Sequence, residues 1–322
     1  MKRIYLLFIL ILFGLSACNN PKEADIVTTM FVQYDIASQI VKEKMSVSMI
    51  IAAGAEVHGY EPSPRDIEAI KKSKLFIYTS TEIDDWIKDP NIFNGDNTKV
   101  MDLSKSYQYE EDHHHDEELN YKGENINQKK IENDEHDHEH DELHYWTDPL
   151  IVLELIESIL EEIIIIDPIN EDYYKVNAKE YYDEIDTLHH ELEDFLIPNH
   201  LGASIYFAGH NALGGFSKRY DINIVALSNT SKPDADLTSS QIETLMKEIE
   251  NNNARFLFIE ELKEPKVANT IKRELAKKNY EIEILLLHGY HNVSKEEFDA
   301  KISYADLFSN NIQNLKLAIG DN

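Results

Sequence analysis

Cysteine is almost absent: the 322 residues contain one, Cys18. No intrachain disulfide is possible, so stability must come from packing and from whatever the chain binds. Basic residues are scarce as well, 31 Lys+Arg against 60 Asp+Glu, for a net charge of −29. A protein that tracks a nucleic-acid backbone needs a basic surface, and this composition supplies none. An acidic surface repels phosphate and attracts cations. No apolar run reaches the ~20 residues of a membrane-spanning helix. No repeated motif marks a solenoid, and no His-Glu-x-x-His pair is present to hold a catalytic zinc on one helix. With 42% hydrophobic and 28% charged residues, the composition is that of a soluble globular protein. The length suffices for two ordinary domains or one large one.

The start of the chain differs from the rest. Lys2 and Arg3 precede an almost wholly apolar run from Ile4 to Leu15, followed by Leu15-Ser16-Ala17-Cys18. A basic start, a short apolar stretch and small residues before a cleavage point describe a secretory signal. The Leu-Ser-Ala-Cys sequence resembles the bacterial lipobox, which implies cleavage before Cys18 and diacylglycerol on its thiol. The expectation is a signal peptide over 1–17, a lipidated N-terminus and linker over 18–24, and a protein held on the outer side of a lipid bilayer.

Beyond the linker, strand-like and helix-like segments alternate. Asp25 to Phe31 and Val47 to Ala53 are strand-like, with Ile36, Ile40 and Val41 at helical spacing between them. Ser63-Pro64-Arg65-Asp66 has the N-cap, proline and acid of a helix start. Strand character returns at Lys74 to Tyr78 and, more weakly, at Lys99 to Leu103. Asp148 to Ile166 has a helical apolar face, Pro168 interrupts, and Asp172 to Leu196 continues with helical spacing for about seven turns. Strands are then expected at Ser204–Phe207, Ile222–Leu227, Arg255–Ile259 and Ile282–Leu287, with a capping box at Thr238 to Gln241 and a final helix from Tyr304 to Ile319. The predicted class is α/β: two βα lobes with parallel-sheet cores, over 25–166 and 201–322, joined by one long linking helix within 167–200.

One segment stands apart. Residues 110–143 hold fourteen acids, three lysines and six of the fourteen histidines, with almost nothing apolar. Such a segment cannot bury enough surface to fold alone, and it is expected to be a mobile loop. His113, His114, His115, His136, His138 and His140 lie among its carboxylates. Clustered in this way they suit weak, multiple capture of divalent ions; the plainer reading is a solvated acidic linker.

Parallel sheets place ligand sites beyond the carboxyl ends of their strands. His58 follows the second expected strand, His210 follows Ser204–Phe207, and His288 and His291 follow Ile282–Leu287. His144 closes the acidic loop. A lone loop histidine is usually a surface or core residue, but several edge histidines contributed by both lobes describe a metal site in the cleft between them. Imidazole suits zinc, and three or four close a tetrahedral shell. His189, His190 and His200 lie on or after the long helix and are expected at the surface.

Three stretches resemble the motifs of the zinc and manganese ABC-transporter solute-binding proteins: Gly54-Ala55-Glu56-Val57-His58-Gly59-Tyr60-Glu61-Pro62-Ser63-Pro64, His144-Tyr145-Trp146-Thr147-Asp148-Pro149, and Phe207-Ala208-Gly209-His210 through Phe216. Glu260-Glu261-Leu262 and Ser303-Tyr304 also fit. The resemblance implies that the chain captures Zn2+ outside the cytoplasm and delivers it to a permease and its ATPase, and that it is monomeric. It implies ligands His58, His144 and His210. It also implies a preference for zinc, because manganese binders of this family tend to carry Glu where His210 stands. Val57 replaces a common proline, and His291 replaces a common acidic ligand. The fourth ligand is therefore open among His291, which is favoured, and His288, Glu260 or water. Glu260 is equally explained as a partner that orients a histidine ring. A manganese or iron binder of the same family is the second reading, a secreted zinc hydrolase the third, and an added role as a surface adhesin stays open.

The Cys18→Ala variant is expected to move from the membrane fraction to the medium or periplasm. Wild-type membrane levels with a retained lipid label would contradict the anchor.

Overall fold

The computed structural model describes residues 23–94, 97–107, 143–197, 202–210, 212–228 and 238–320. Cys18, the six loop histidines and His200 lie outside the described residues. The first lobe holds β1 (Ile26–Thr28), α1 (Phe31–Val41), β2 (Val47–Met49), α2 (Pro64–Lys72), β3 (Leu75–Tyr78) and β4 (Lys99–Asp102). Two helices follow, α3 (Pro149–Ile166) and α4 (Glu171–Leu196). The second lobe holds β5 (Ser204–His210), α5 (Gly214–Tyr220), β6 (Asn223–Ser228), α6 (Ser239–Asn251), β7 (Phe256–Ile259), α7 (Lys266–Ala276), β8 (Glu283–Leu286), α8 (Lys295–Asp299) and α9 (Tyr304–Gly320). The strands form two four-stranded parallel sheets, ordered β2-β1-β3-β4 and β6-β5-β7-β8.

Strand alternation explains how each sheet buries both faces. In the first sheet Ile26, Leu75 and Ile77 enter a central cluster, whereas Val27, Phe76 and Tyr78 enter an outer one with Ile70 and Phe93. In the second sheet Ile205, Phe207 and Phe258 face the central cluster, and Tyr206 and Leu257 face an outer one with Ile249, Ile271 and Leu275. Between Phe207 and His210 the pairing of β5 with β6 slips: Phe207 pairs with Ala226, but His210 pairs with Ser228. β5 thus spends one extra residue there, a bulge.

Helix ends follow the local chemistry. Ser63 caps α2 and exchanges hydrogen bonds with Asp66, behind Pro64 at the first helical position. Asp148 caps α3 through the Leu150 amide. Thr238 and Gln241 form the expected capping box of α6. Two expected strands are shorter than the apolar runs that announced them. β1 stops at Thr28, because the Met30 amide donates to the Gln33 side chain and α1 begins at Phe31. β2 stops at Met49, and the chain turns away towards Gly54.

The two lobes are joined by more than the long helix. One apolar cluster runs without interruption from Ile36 and Ile156 through Tyr174, Ile185 and Leu192 to Phe216, Tyr290 and Phe308. α4 packs against α1, α3 and α9, so the final helix of the second lobe lies against both the linking helix and the first lobe. Polar contacts cross the same boundary. The Trp146 indole donates to the Gly289 carbonyl at 2.9 Å, and Arg219 grips the buried carboxylate of Asp148 at 2.8–3.1 Å. His189, expected at the surface, is buried: its Nδ1 meets the Tyr220 hydroxyl at 2.8 Å where α4 packs on the second lobe. His190 is exposed, as expected.

A buried carboxylate sits where three helices meet. Asp35 of α1 accepts hydrogen bonds from the Tyr181 hydroxyl on α4, from the Tyr304 amide at the start of α9 (2.9 Å) and from Gln39 (3.2 Å). Burial pushes its pKa up to about 6, although Tyr181, the Tyr304 amide and Gln39 favour the ionised form. Between the ordinary carboxylate value and about 6 the folded state holds a proton that the unfolded state has lost. This group therefore favours folding at acid pH and disfavours it as the pH rises through that window. Asp35→Asn should flatten the stability profile there and raise stability at neutral pH by on the order of 1–3 kcal/mol. Denaturant titrations of both proteins at pH 4, 5, 6 and 7 check this; an unchanged slope would show that Asp35 is ionised throughout.

Candidate metal centre

Four histidines from four chain segments converge between the sheets. His58 sits on the loop between β2 and α2, ahead of Gly59, whose φ of +74° turns the chain. His144 opens the short 3-10 turn Tyr145–Thr147 that leads into α3. His210 ends β5, and His291 lies beyond β8. One ring nitrogen from each lies within 4.8 Å of those of the other three. All six ring–ring separations fall between 5.1 and 6.0 Å. Tetrahedral zinc with bonds of ~2.0–2.1 Å sets its ligand nitrogens about 3.3 Å apart, so a small contraction would complete such a shell.

The bonding of these nitrogens supports a cation at the centre. Nε2 of His58, His210 and His291 and both ring nitrogens of His144 are buried without a hydrogen-bond partner. Buried polar atoms are seldom left unpaired, and several facing one point call for a shared partner. Behind the rings the partners are present. Glu260 accepts from His210 Nδ1 at 2.8 Å and from the His210 amide at 2.5 Å. Glu261 accepts from His291 Nδ1 at 2.9 Å, from the His291 amide at 3.1 Å and from the Gly289 amide at 2.9 Å. Each carboxylate thus fixes a tautomer that leaves Nε2 free to bind a metal.

The electrostatics agree. Burial drives the pKa of His58 down to about 3, helped by the charges of His291 and His210. Burial likewise holds His144 well below the ordinary histidine value. Burial lowers His291 as well, but its hydrogen bond and charge contact with Glu261 outweigh that and raise it. Burial raises both carboxyls, yet His210 brings Glu260 down, and His288 and His291 bring Glu261 well down. Two carboxylates held ionised then stand behind the ring cluster, and together they match the charge of one divalent ion.

The structure brings His58, His144, His210 and His291 together, with Glu260 behind His210 rather than at the centre. His288 stays outside the cluster. It is buried, and its Nδ1 accepts from the Tyr290 amide at 2.9 Å, while its own amide bonds Asn311. The histidine nearer the end of β8 thus stays out of the cluster, and the one past the Gly289-Tyr290 turn joins it. Sequence reasoning gave Glu261 no role, although it adjoins Glu260 at the end of β7. Nor does the sequence show how closely two glycines are approached. A Cβ on Gly209 would stand 2.2 Å from Glu260 Oε1, and one on Gly289 would stand 2.9 Å from the His291 ring. A cavity of about 140 Å³, lined by Glu56, His58, His210, Lys263 and His291 among others, adjoins the cluster.

Comparison with known proteins matches residues 26–318 to a family model described as ZnuA, zinc-uptake complex component A, periplasmic. The high-affinity zinc uptake system protein ZnuA of Bacillus subtilis is 28% identical over 311 residues, covering 94% of this chain and 89% of that protein. The zinc-binding lipoprotein AdcA of Streptococcus pneumoniae is 26% identical over 331 residues; the match covers 98% of this chain but 61% of the longer relative. Among solved structures, the metal-dependent lipoprotein YcdH of Bacillus subtilis aligns with a TM-score of 0.70 at 25% identity, over 91% of this chain and 98% of that one. The Zn(II)-bound ZnuA-like domain of Streptococcus pneumoniae AdcA aligns with a TM-score of 0.71 at 21% identity, over 92% and 98% of the two chains, and shares the fold.

Gly209→Ala should push Glu260 off His210 without touching a ring nitrogen. Loss of such an outer partner typically costs about 10–100-fold in metal affinity. Competition titration with a chromophoric chelator, alongside circular dichroism of the metal-free protein, checks this. Unchanged affinity would show that Glu260 does not orient His210.

Proposed function

Because the chain belongs to the ZnuA family of zinc-uptake complex components, we propose that it captures Zn2+ outside the cytoplasm through His58, His144, His210 and His291 and hands it to an ABC-transporter permease with its ATPase. The observation that carries this reading is the set of buried, partnerless imidazole nitrogens aimed at one point, two of them backed by carboxylates. Four imidazoles favour zinc over manganese or iron, which prefer more carboxylate. A closed shell of four protein ligands leaves no position for a reactive water, so the ion is cargo and the protein is not a hydrolase.

The remaining parts of the proposal rest on sequence. Cys18 anchors the protein to the bilayer, a reading that the lipobox-like Leu15-Ser16-Ala17-Cys18 supports. The segment 110–143 adds weaker sites that raise the local supply of zinc without building the tight one. Residues 25–166 and 201–322 act as the two lobes, with 167–200 between them, in a monomer.

Calorimetric titration of a mature protein lacking 110–142 tests the ligand set. One Zn2+ should bind tightly, and Mn2+ should not displace it. Alanine at His58, His144, His210 or His291 should each lower affinity by well over ~10-fold, since one of four bonds is lost. His288→Ala should leave affinity within a few-fold. A larger loss for His288→Ala than for His291→Ala would overturn the assignment.

A further inference from the structure

We propose that Asn292 is a positioning residue for His58, acting across the cleft through the backbone of the loop that carries it. Asn292 is buried and belongs to the segment of the second lobe that also presents His291. Its side-chain amide donates to two carbonyls of the first lobe, Ala52 at 2.8 Å and Ala55 at 2.9 Å. Its carbonyl oxygen accepts from the Val293 amide at 2.9 Å, which fixes the carboxamide in that orientation. A fourth bond completes the clip: the Gly54 amide donates to the Val293 carbonyl at 2.7 Å. Gly54 adopts φ +82°, a conformation glycine tolerates and that turns the loop towards the clip.

The other three rings have hydrogen-bonded or aromatic support from outside the cluster, whereas the ring contacts of His58 among the described residues are with the other three histidines. His210 is held by Glu260 and His291 by Glu261, and His144 packs edge-on against Trp146 with ring centroids 5.3 Å apart. No hydrogen bond to the His58 ring is found among the described residues, and its Nε2 has no partner. Its direction is therefore set by its backbone. That backbone is held by Val57, buried in the central cluster, and by the Tyr60 hydroxyl on the Ile50 carbonyl and Asp66 within its own lobe. Across the cleft it is held by Asn292 and Val293. Asn292 thus makes the loops of His58 and His291 one unit, so that placing one ligand places the other.

This inference rests on the reading of His58 as a ligand, and the test separates the two. Zinc affinity is measured by chelator competition for the wild type, His58→Ala, Asn292→Ala and the double variant, with ligand-field absorption of bound Co2+ as a second readout. Asn292→Asp serves as a companion, keeping the side-chain shape while opposing a carboxylate to the two carbonyls. Asn292→Ala should weaken zinc binding by about 10–100-fold, the usual cost of losing an outer partner. Asn292→Asp should weaken it further. The double variant should bind no more weakly than His58→Ala, and the Co2+ spectra of Asn292→Ala and His58→Ala should change alike. If His58→Ala weakens binding but Asn292→Ala does not, or if the two losses multiply in the double variant, the positioning role is refuted and the ligand stands. If His58→Ala leaves affinity unchanged, the ligand reading falls and this proposal with it. Reduced thermal stability with unaltered affinity and Co2+ spectrum would make Asn292 a structural residue only.

Discussion

Several imidazole nitrogens face one another across the cleft with no hydrogen-bond partner among the described residues. A buried polar atom left in that condition costs about 1–3 kcal/mol. A divalent cation removes that cost in one step, because it accepts a lone pair from every ring at once. Much of the surrounding architecture serves to keep the rings from escaping to other partners. Glu260 and Glu261 occupy the outer nitrogens of two rings, Trp146 packs against the His144 ring, and desolvation keeps His58 and His144 from protonating.

Holding four rings from four segments needs a scaffold that does not yield. The continuous apolar cluster through α1, α3, α4 and α9 supplies it. Close-packed interiors transmit strain rather than absorb it, so the lobes are positioned by a shared interior as well as by the linking helix. The polar contacts at the boundary, Trp146 to Gly289 and Asp148 to Arg219, then set register where apolar packing alone is permissive.

Much of this was legible in the chain. The alternation of strands and helices gave both parallel sheets, and the caps at Ser63 and Thr238 lie where their motifs placed them. His58, His144, His210 and His291 were marked by their places at strand or loop ends, and the structure gathers all four. What was hidden depends on distance in space. Glu261 is one acid among many until its oxygens are seen on the amides of Gly289 and His291. Gly209 matters only because Glu260 lies against it. His189 looks like one more polar residue on a charged helix until α4 is packed on Tyr220. Apolar runs overstated β1 and β2, because hydrophobicity marks burial and does not mark where the ladder ends.

The bulge in β5 carries a consequence for how this centre tolerates insertion and deletion. Along the strand, Ile205 and Phe207 face inward and Tyr206 outward, and by strict two-residue periodicity position 210 would follow Tyr206. The one supernumerary residue between Phe207 and His210 reverses that parity. The histidine is thereby carried to the inward side. An odd change in length here would exchange the two faces at the strand's end, replacing the imidazole with a glycine or a carboxamide. An even change would keep the face and move the ring along the strand. This stretch is therefore constrained by counting as well as by chemistry: the number of residues that precede His210 decides which face its ring takes.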